Sequence, residues 1–236
     1  MGYLNIMVDG NSSDFGAWVA QARLAIAFLT RLPLAAEGAA EPEALARAAW
    51  AFPLAGILVG VAGAIVLTVG DRLGLPILAT ALLAVAATMA TTGALHEDGL
   101  ADTADGLGGA DAEQSLAIMR DSRIGTFGVL ALILGVGLRA AALAALPDTS
   151  IAAGVLIAAH ATSRGLLPAL MLVLDPARSD GLAASAGKPS PTVAGIAAAI
   201  GLVVALLVLG AGRGIIAVLL AALAVAALAS LARRRL

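Results

Sequence analysis

Six long apolar stretches constrain this chain more than any other feature. They run over Ala51–Gly70, Leu75–Leu95, Ile124–Leu146, Ile151–Leu174, Thr192–Ala211 and Ile215–Leu231. A helix needs about 20 mainly apolar residues to cross the roughly 30 Å of bilayer hydrocarbon. The rest of the composition agrees: 61% of residues are apolar and 13% charged, against about 45–50% and 25% in soluble domains. The expectation is an all-α polytopic membrane helical bundle of about six spans. A cytoplasmic N-terminal segment over residues 1–50 precedes one transmembrane catalytic domain over 51–236. A soluble coiled coil is excluded, because sustained polar positions are missing.

Other classes fall away quickly. The chain has no cysteine, which removes disulfides, thiolate metal sites and a cysteine nucleophile. A net charge of −2 gives no footprint for a nucleic acid. The opening MGYLNIMVDGNSSD lacks the basic region and short apolar run of a signal peptide. Asp14 is placed to cap a helix over Phe15–Leu32 that Pro33 ends. Trp18, Ala22, Ala25, Leu29 and Leu32 would line its apolar face, with Arg23, Thr30 and Arg31 opposite. Such a helix lies at the membrane interface or gates a site. A loop over 35–43 follows.

The basic residues orient the bundle. Ten of the fourteen (Arg23, Arg31, Arg47, Arg120, Arg123, Arg178, Lys188 and Arg233 to Arg235) fall on one side of the six spans, and only Arg72 and Arg213 on the other. Positive charge favours the cytoplasm. Both termini, the loop over His96–Asp121 and the Asp175–Pro191 loop are therefore expected there. Arg233 to Arg235 would anchor the last span at lipid head groups.

Chemistry concentrates in HEDGLADTADGLGGADAEQSLAIMRD, His96–Asp121, which holds seven of the sixteen acidic residues. Asp98, Asp102 and Asp105 stand at i, i+4 and i+7. On a helix turning about 100° per residue they share one face within roughly 60°. Packed carboxylates repel unless a cation joins them, so these three are candidate Mg²⁺ ligands for a diphosphate substrate. Glu97 points about 100° away from Asp98 and is a second-rank ligand or a catalytic base. The next block is MRDSRIGTFG, Met119–Gly128. Arg123 suits phosphate oxygens as a fork. Ser122, Gly125 and Thr126 sit where a helix start offers N–H groups to an anion. His160 and Arg164, four apart, share a face of the fourth span, and charges there usually face a cavity or a partner. His160 is a general base or a substrate hydrogen-bond donor. Arg164 pairs with the acidic site or clamps a phosphate, and Arg139 is the better candidate for an interhelical bond. The Asp175–Pro191 loop is long and proline-bounded, as functional loops often are.

These blocks resemble the cobalamin (5′-phosphate) synthase, or adenosylcobinamide-GDP ribazoletransferase, family. FLTRLP (Phe28–Pro33), FPLAGILVG (Phe52–Gly60), HEDGLADTADGLGG (His96–Gly109), IMRDSRIGTFGVLAL (Ile118–Leu132) and HATSRGLLPALM (His160–Met171) carry the resemblance and follow the family's order. It implies a Mg²⁺-dependent enzyme of the bacterial inner membrane. Its substrates would be adenosylcobinamide-GDP and α-ribazole or its 5′-phosphate, with GMP released. Glu97, Asp121 and His160 then form the catalytic set. His96, Ser122, Arg123 and Arg164 bind substrate, and Asp98, Asp102 and Asp105 hold the metal. The lipid bilayer is a partner, and a homo-oligomer is compatible with so small a polytopic chain. Family members usually continue past the last span into a glycine-rich block and a further helix, whereas this chain ends at Leu236.

Two rivals differ in class. CDP-alcohol phosphotransferases also cluster aspartates, but after an Asp-Gly pair they carry Ala-Arg, where this chain has Ala101-Asp102. A transporter without chemistry would also use charges within spans.

Overall fold

The computed structural model describes residues 5–34 and 43–235, with side chains from residue 15 onward. Of the loop expected over 35–43, residues 35–42 lie outside the described residues. Among those described, every regular element is helical. The α-helices are α1 (Asn5–Leu29), α2 (Ala44–Ala48), α3 (Phe52–Arg72), α4 (Ile77–Thr92), α5 (Leu95–Gly106), α6 (Ala112–Ile118), α7 (Thr126–Ala144), α8 (Thr149–Val173), α9 (Leu182–Ala186), α10 (Pro191–Leu209) and α11 (Ala211–Arg235). A 3₁₀ turn over Ala49–Ala51 joins α2 to α3.

Five of these helices are long and apolar enough to cross a membrane: α3 with its lead-in from Ala44, α7, α8, α10 and α11. Their bounds fall within about four residues of the expected spans. Large apolar side chains such as Phe127, Ile133, Leu138, Leu207, Leu219 and Leu223 are exposed, which in water would be a liability and in lipid is the required surface.

The second expected span, Leu75–Leu95, appears as α4 and ends in a sharp bend. Its helix stops at Thr92, and Leu95 already belongs to α5, turned by 94°. The break is built from two left-handed residues, Gly93 (φ 65) and Ala94 (φ 58). A side chain at Gly93 would collide with the Arg31 guanidinium, and Ala94 holds a conformation that costs a non-glycine residue about 1–2 kcal/mol. Arg31 N donates to Thr91 O at 2.7 Å, satisfying a carbonyl that the end of α4 leaves open. With α4 and α5 counted together as one broken span, the bundle has six.

α3 and α8 form the centre. They approach so closely that a Cβ on Gly60 would lie 2.6 Å from Ile157 Cα, and one on Gly56 would strike the His160 carbonyl. Small residues at this seam let the backbones touch, which is how helices associate when lipid removes the hydrophobic drive. Leu67, Val85, Leu143 and Leu156 fill the core between α3, α4, α7 and α8.

α1 differs from expectation at both ends. It passes through residue 14 instead of starting after it, and it stops at Leu29 instead of Leu32. The stop has a cause: the Thr30 hydroxyl donates to Ile26 O at 2.7 Å, and the residue before Pro33 disfavours helix. Ala22, Ala25 and Leu29 do face the core, where they meet Ala48, Ala51 and Phe52. Thr30, expected on the polar face, is buried. Trp18 sits edge-on to Trp50, whose Nε1 donates to Gln21 Oε1 at 2.7 Å.

Candidate functional site

α5 carries four acidic residues in twelve and no lysine or arginine. It runs antiparallel along α7, as the pairings show: Asp105 meets Gly125 and Gly128, Leu100 meets Gly135, and Glu97 meets Arg139. The three candidate metal ligands share this helix, but their carboxylates have different surroundings.

Asp105 is committed. It accepts from Gly125 N at 2.7 Å and from Gly128 N at 2.8 Å. The N-cap residue of α7 is Gly125, which has no side chain to close the helix start. Asp105, twenty residues earlier, supplies that cap across space. A Cβ at Gly125 or Gly128 would collide with its carboxylate, which explains both glycines of the RIGTFG block. The helix start expected to receive a substrate anion, with Ser122 and Thr126 beside it, is thus already filled by the protein's own anion. Asp98 is exposed, and Asp102 lines a cleft with Gly99 and Thr103. Among the described residues, no three His, Asp or Glu side chains converge as a ready metal cage.

Deeper in the bundle, polar groups from α5, α7 and α8 meet. Arg139 Nη1 donates to Glu97 Oε1 at 2.8 Å, and its Nε donates to Gly135 O at 2.9 Å. Glu97 and Arg164 are both 8% exposed. Arg164 Nη1 bonds Ser163 Oγ at 3.0 Å, and its Nη2 lies 3.5 Å from His96 Nδ1. His160 Nδ1 is buried, with no hydrogen-bond partner among the described residues. The structure therefore brings His96, Glu97, His160 and Arg164 into one region, with Arg139 added. Arg139 makes the interhelical bond expected of it, although its partner is the carboxylate assigned to catalysis.

Asp121, Ser122 and Arg123 lie outside that group, exposed on the connection between α6 and α7. Arg123 turns its fork on Asp121, with Nε and Nη2 on the two carboxylate oxygens at 3.0 and 2.5 Å. This bonding, followed by the Arg123 backbone N–H, pulls the Asp121 carboxyl down to about 2.

Three features escaped the sequence reading. Arg178 lines the same cleft as Asp102. Asp180 takes Arg120 at 3.6 Å and Arg178 at 3.7 Å. Arg233 caps α8, its Nη2 donating to Val173 O at 2.7 Å. The length of the Asp175–Pro191 loop was the one available signal for the first two.

Helices long and apolar enough to cross a membrane, with carboxylates, arginines and histidines of α5, α7 and α8 brought together between them, are the features of a multi-pass membrane protein with a buried polar cluster. The family model for cobalamin-5-phosphate synthase matches residues 21–236, and the chain belongs to that family. The adenosylcobinamide-GDP ribazoletransferase of Bradyrhizobium diazoefficiens is 51% identical over 219 residues, covering 92% of this chain and 84% of that protein. The proteins of the same name from Mesorhizobium japonicum and Azorhizobium caulinodans are 49% and 46% identical, covering 86% and 89% of this chain and 78% and 83% of their own lengths. No solved structure matches the chain.

Proposed function

We propose that this chain joins α-ribazole, or its 5′-phosphate, to adenosylcobinamide-GDP with release of GMP, at the cytoplasmic face of a bacterial inner membrane. The observation that carries this reading is the family match over nearly the whole chain, with relatives of that activity sharing about half of its residues. In the reaction a ribose hydroxyl attacks the phosphorus on the cobinamide side of the diphosphate. The bridging P–O bond breaks, and GMP leaves with the bridging oxygen.

The residues fit Mg²⁺. This ion is usually held by one or two carboxylates plus substrate phosphates. Asp98 and Asp102, one helical turn apart and with no hydrogen-bond or ion-pair partner among the described residues, provide that set, while Asp105 caps α7. When bound, the ion supplies charge neutralisation on the diphosphate. Arg123 takes phosphate oxygens at the exposed side, exchanging Asp121 for substrate. Arg164 and His96 face the diphosphate from within. The unpartnered His160 nitrogen takes the proton of the attacking hydroxyl. Glu97, tied to Arg139, positions α5 against α7.

The test is GMP release by the purified chain in lipid. GMP should appear only with both organic substrates and Mg²⁺ present. Release without the riboside would make the chain a hydrolase, and no release would end the reading. Sidedness is checked separately. Reporters within Asp175–Pro191 and at Leu236 should read cytoplasmic, and one at Pro147–Ser150 should not, because ten basic residues to two favour that orientation. Any one on the opposite side overturns the orientation.

A further inference from the structure

Between α5, the end of α8 and the loop that carries α9 lies a cleft of about 450 Å³. Its lining combines two chemistries: an apolar wall that includes Phe28, Phe52, Leu167 and Met171, with the two phenylalanine rings stacked 6.1 Å apart at 19°, and the charged side chains of Asp102 and Arg178. The loop lines it and carries exposed ion pairs: Lys188 Nζ donates to Asp175 at 2.9 Å within the loop, and Asp180 lies 3.6 Å from Arg120 on the α6 side. One face of α8 joins the cleft to the buried polar group, because His160, Arg164, Leu167 and Met171 recur at i, i+4, i+7 and i+11. His160 lies about 10 Å along the helix from Leu167.

We infer that this cleft is the riboside subsite. The flat aromatic base lies against the apolar wall, and Arg178 holds the 5′-phosphate. The inference rests on the catalytic reading and names which substrate goes where. Size decides against the other substrate, since pockets of about 300–1,000 Å³ suit drug-sized ligands and a corrin ring with its nucleotide is several times larger than a nucleoside. A flat apolar body with one anionic end is the shape and charge that this cleft complements. Arg178 suits the phosphate because its carboxylate neighbour Asp180 is 3.7 Å away and shared with Arg120, a loose pairing that an anion can replace. A larger cleft of about 620 Å³ on the other side of the same loop, toward Lys188 and Arg233, does not reach the α5 carboxylates.

The test is equilibrium dialysis of α-ribazole and its 5′-phosphate against the full chain in lipid, without the second substrate. Arg178→Ala should weaken binding of the phosphate about tenfold, the loss of one charged hydrogen-bonded contact, and leave the free riboside within about twofold. Leu182 is 54% exposed and lines this cleft but not the larger one. Leu182→Trp should therefore weaken both ribosides and spare adenosylcobinamide-GDP, whose retained binding also reports that the fold persists. Absence of riboside binding by the wild type overturns the inference. So does unchanged binding in both variants, as expected of a cleft filled by a lipid chain, or loss of adenosylcobinamide-GDP binding in place of riboside binding. GMP release by the wild type is scored separately, so the catalytic reading stands or falls on a different measurement.

Discussion

Two ion pairs on neighbouring parts of the molecule use the same chemistry to opposite ends. Glu97–Arg139 joins residues 42 apart, and its carboxylate side chain is 10% exposed. Asp121–Arg123 joins residues two apart, and its guanidinium side chain is 87% exposed. The first cannot be exchanged without leaving a charge in a poorly solvated place. The second is held mainly by short range and fork geometry, so an arriving phosphate can take the arginine from it at little cost. The contrast separates two uses of one pairing: Glu97–Arg139 ties α5 to α7 inside the bundle, whereas Asp121–Arg123 joins two residues of one exposed connection.

The largest expected effect follows from the inner pair. Arg139→Leu should cost about 2–3 kcal/mol of stability, below the roughly 3–5 of a fully buried pair, because the Arg139 side chain is 39% exposed. Glu97→Leu in the same chain should restore more than half of that loss. Unfolding of the two single variants and the double variant in detergent gives the coupling. Strict additivity would show that the pair does not hold α5 to α7.

The outer pair is expected to act on kinetics alone. Arg123→Lys keeps the charge and loses the fork, so the KM for adenosylcobinamide-GDP should rise about tenfold with the melting temperature unchanged. Arg164→Lys sharpens the comparison, because Arg164 is buried and bonded to Ser163. That variant should lose both stability and turnover. Wild-type kinetics for both would mean that charge suffices and that no fork is used.

The sequence made the spans legible because hydrocarbon imposes one length and one composition on any helix that crosses it. It made α5 legible as a helix because Asp98, Asp102 and Asp105 keep helical spacing. The break before α5 was hidden, since Gly93-Ala94 sits in an apolar run and the Arg31 N–H that bonds Thr91 O beside it comes from just past α1, sixty residues away in the chain. The cap on α7 was hidden for a similar reason. Gly125 reads as a bare helix start, and nothing local says that Asp105 closes it. Glu97–Arg139 and the position of Arg178 are likewise products of tertiary packing, which spacing along one element cannot report.

The same division between committed and open charge runs along α5 itself, and one measurement tests it most directly: the Mg²⁺ dependence of GMP release, with melting recorded on the same preparations. Asp98→Asn and Asp102→Asn should each raise the Mg²⁺ needed for half-maximal rate and cut turnover by about 10²-fold, as expected when several kcal/mol of charge stabilisation is weakened, while melting stays near that of the wild type. Asp105→Asn should leave the Mg²⁺ requirement unchanged and cost about 1–2 kcal/mol of stability through the lost α7 cap. A Mg²⁺ requirement that moves in Asp105→Asn as far as in Asp102→Asn, with melting unchanged, would contradict the account.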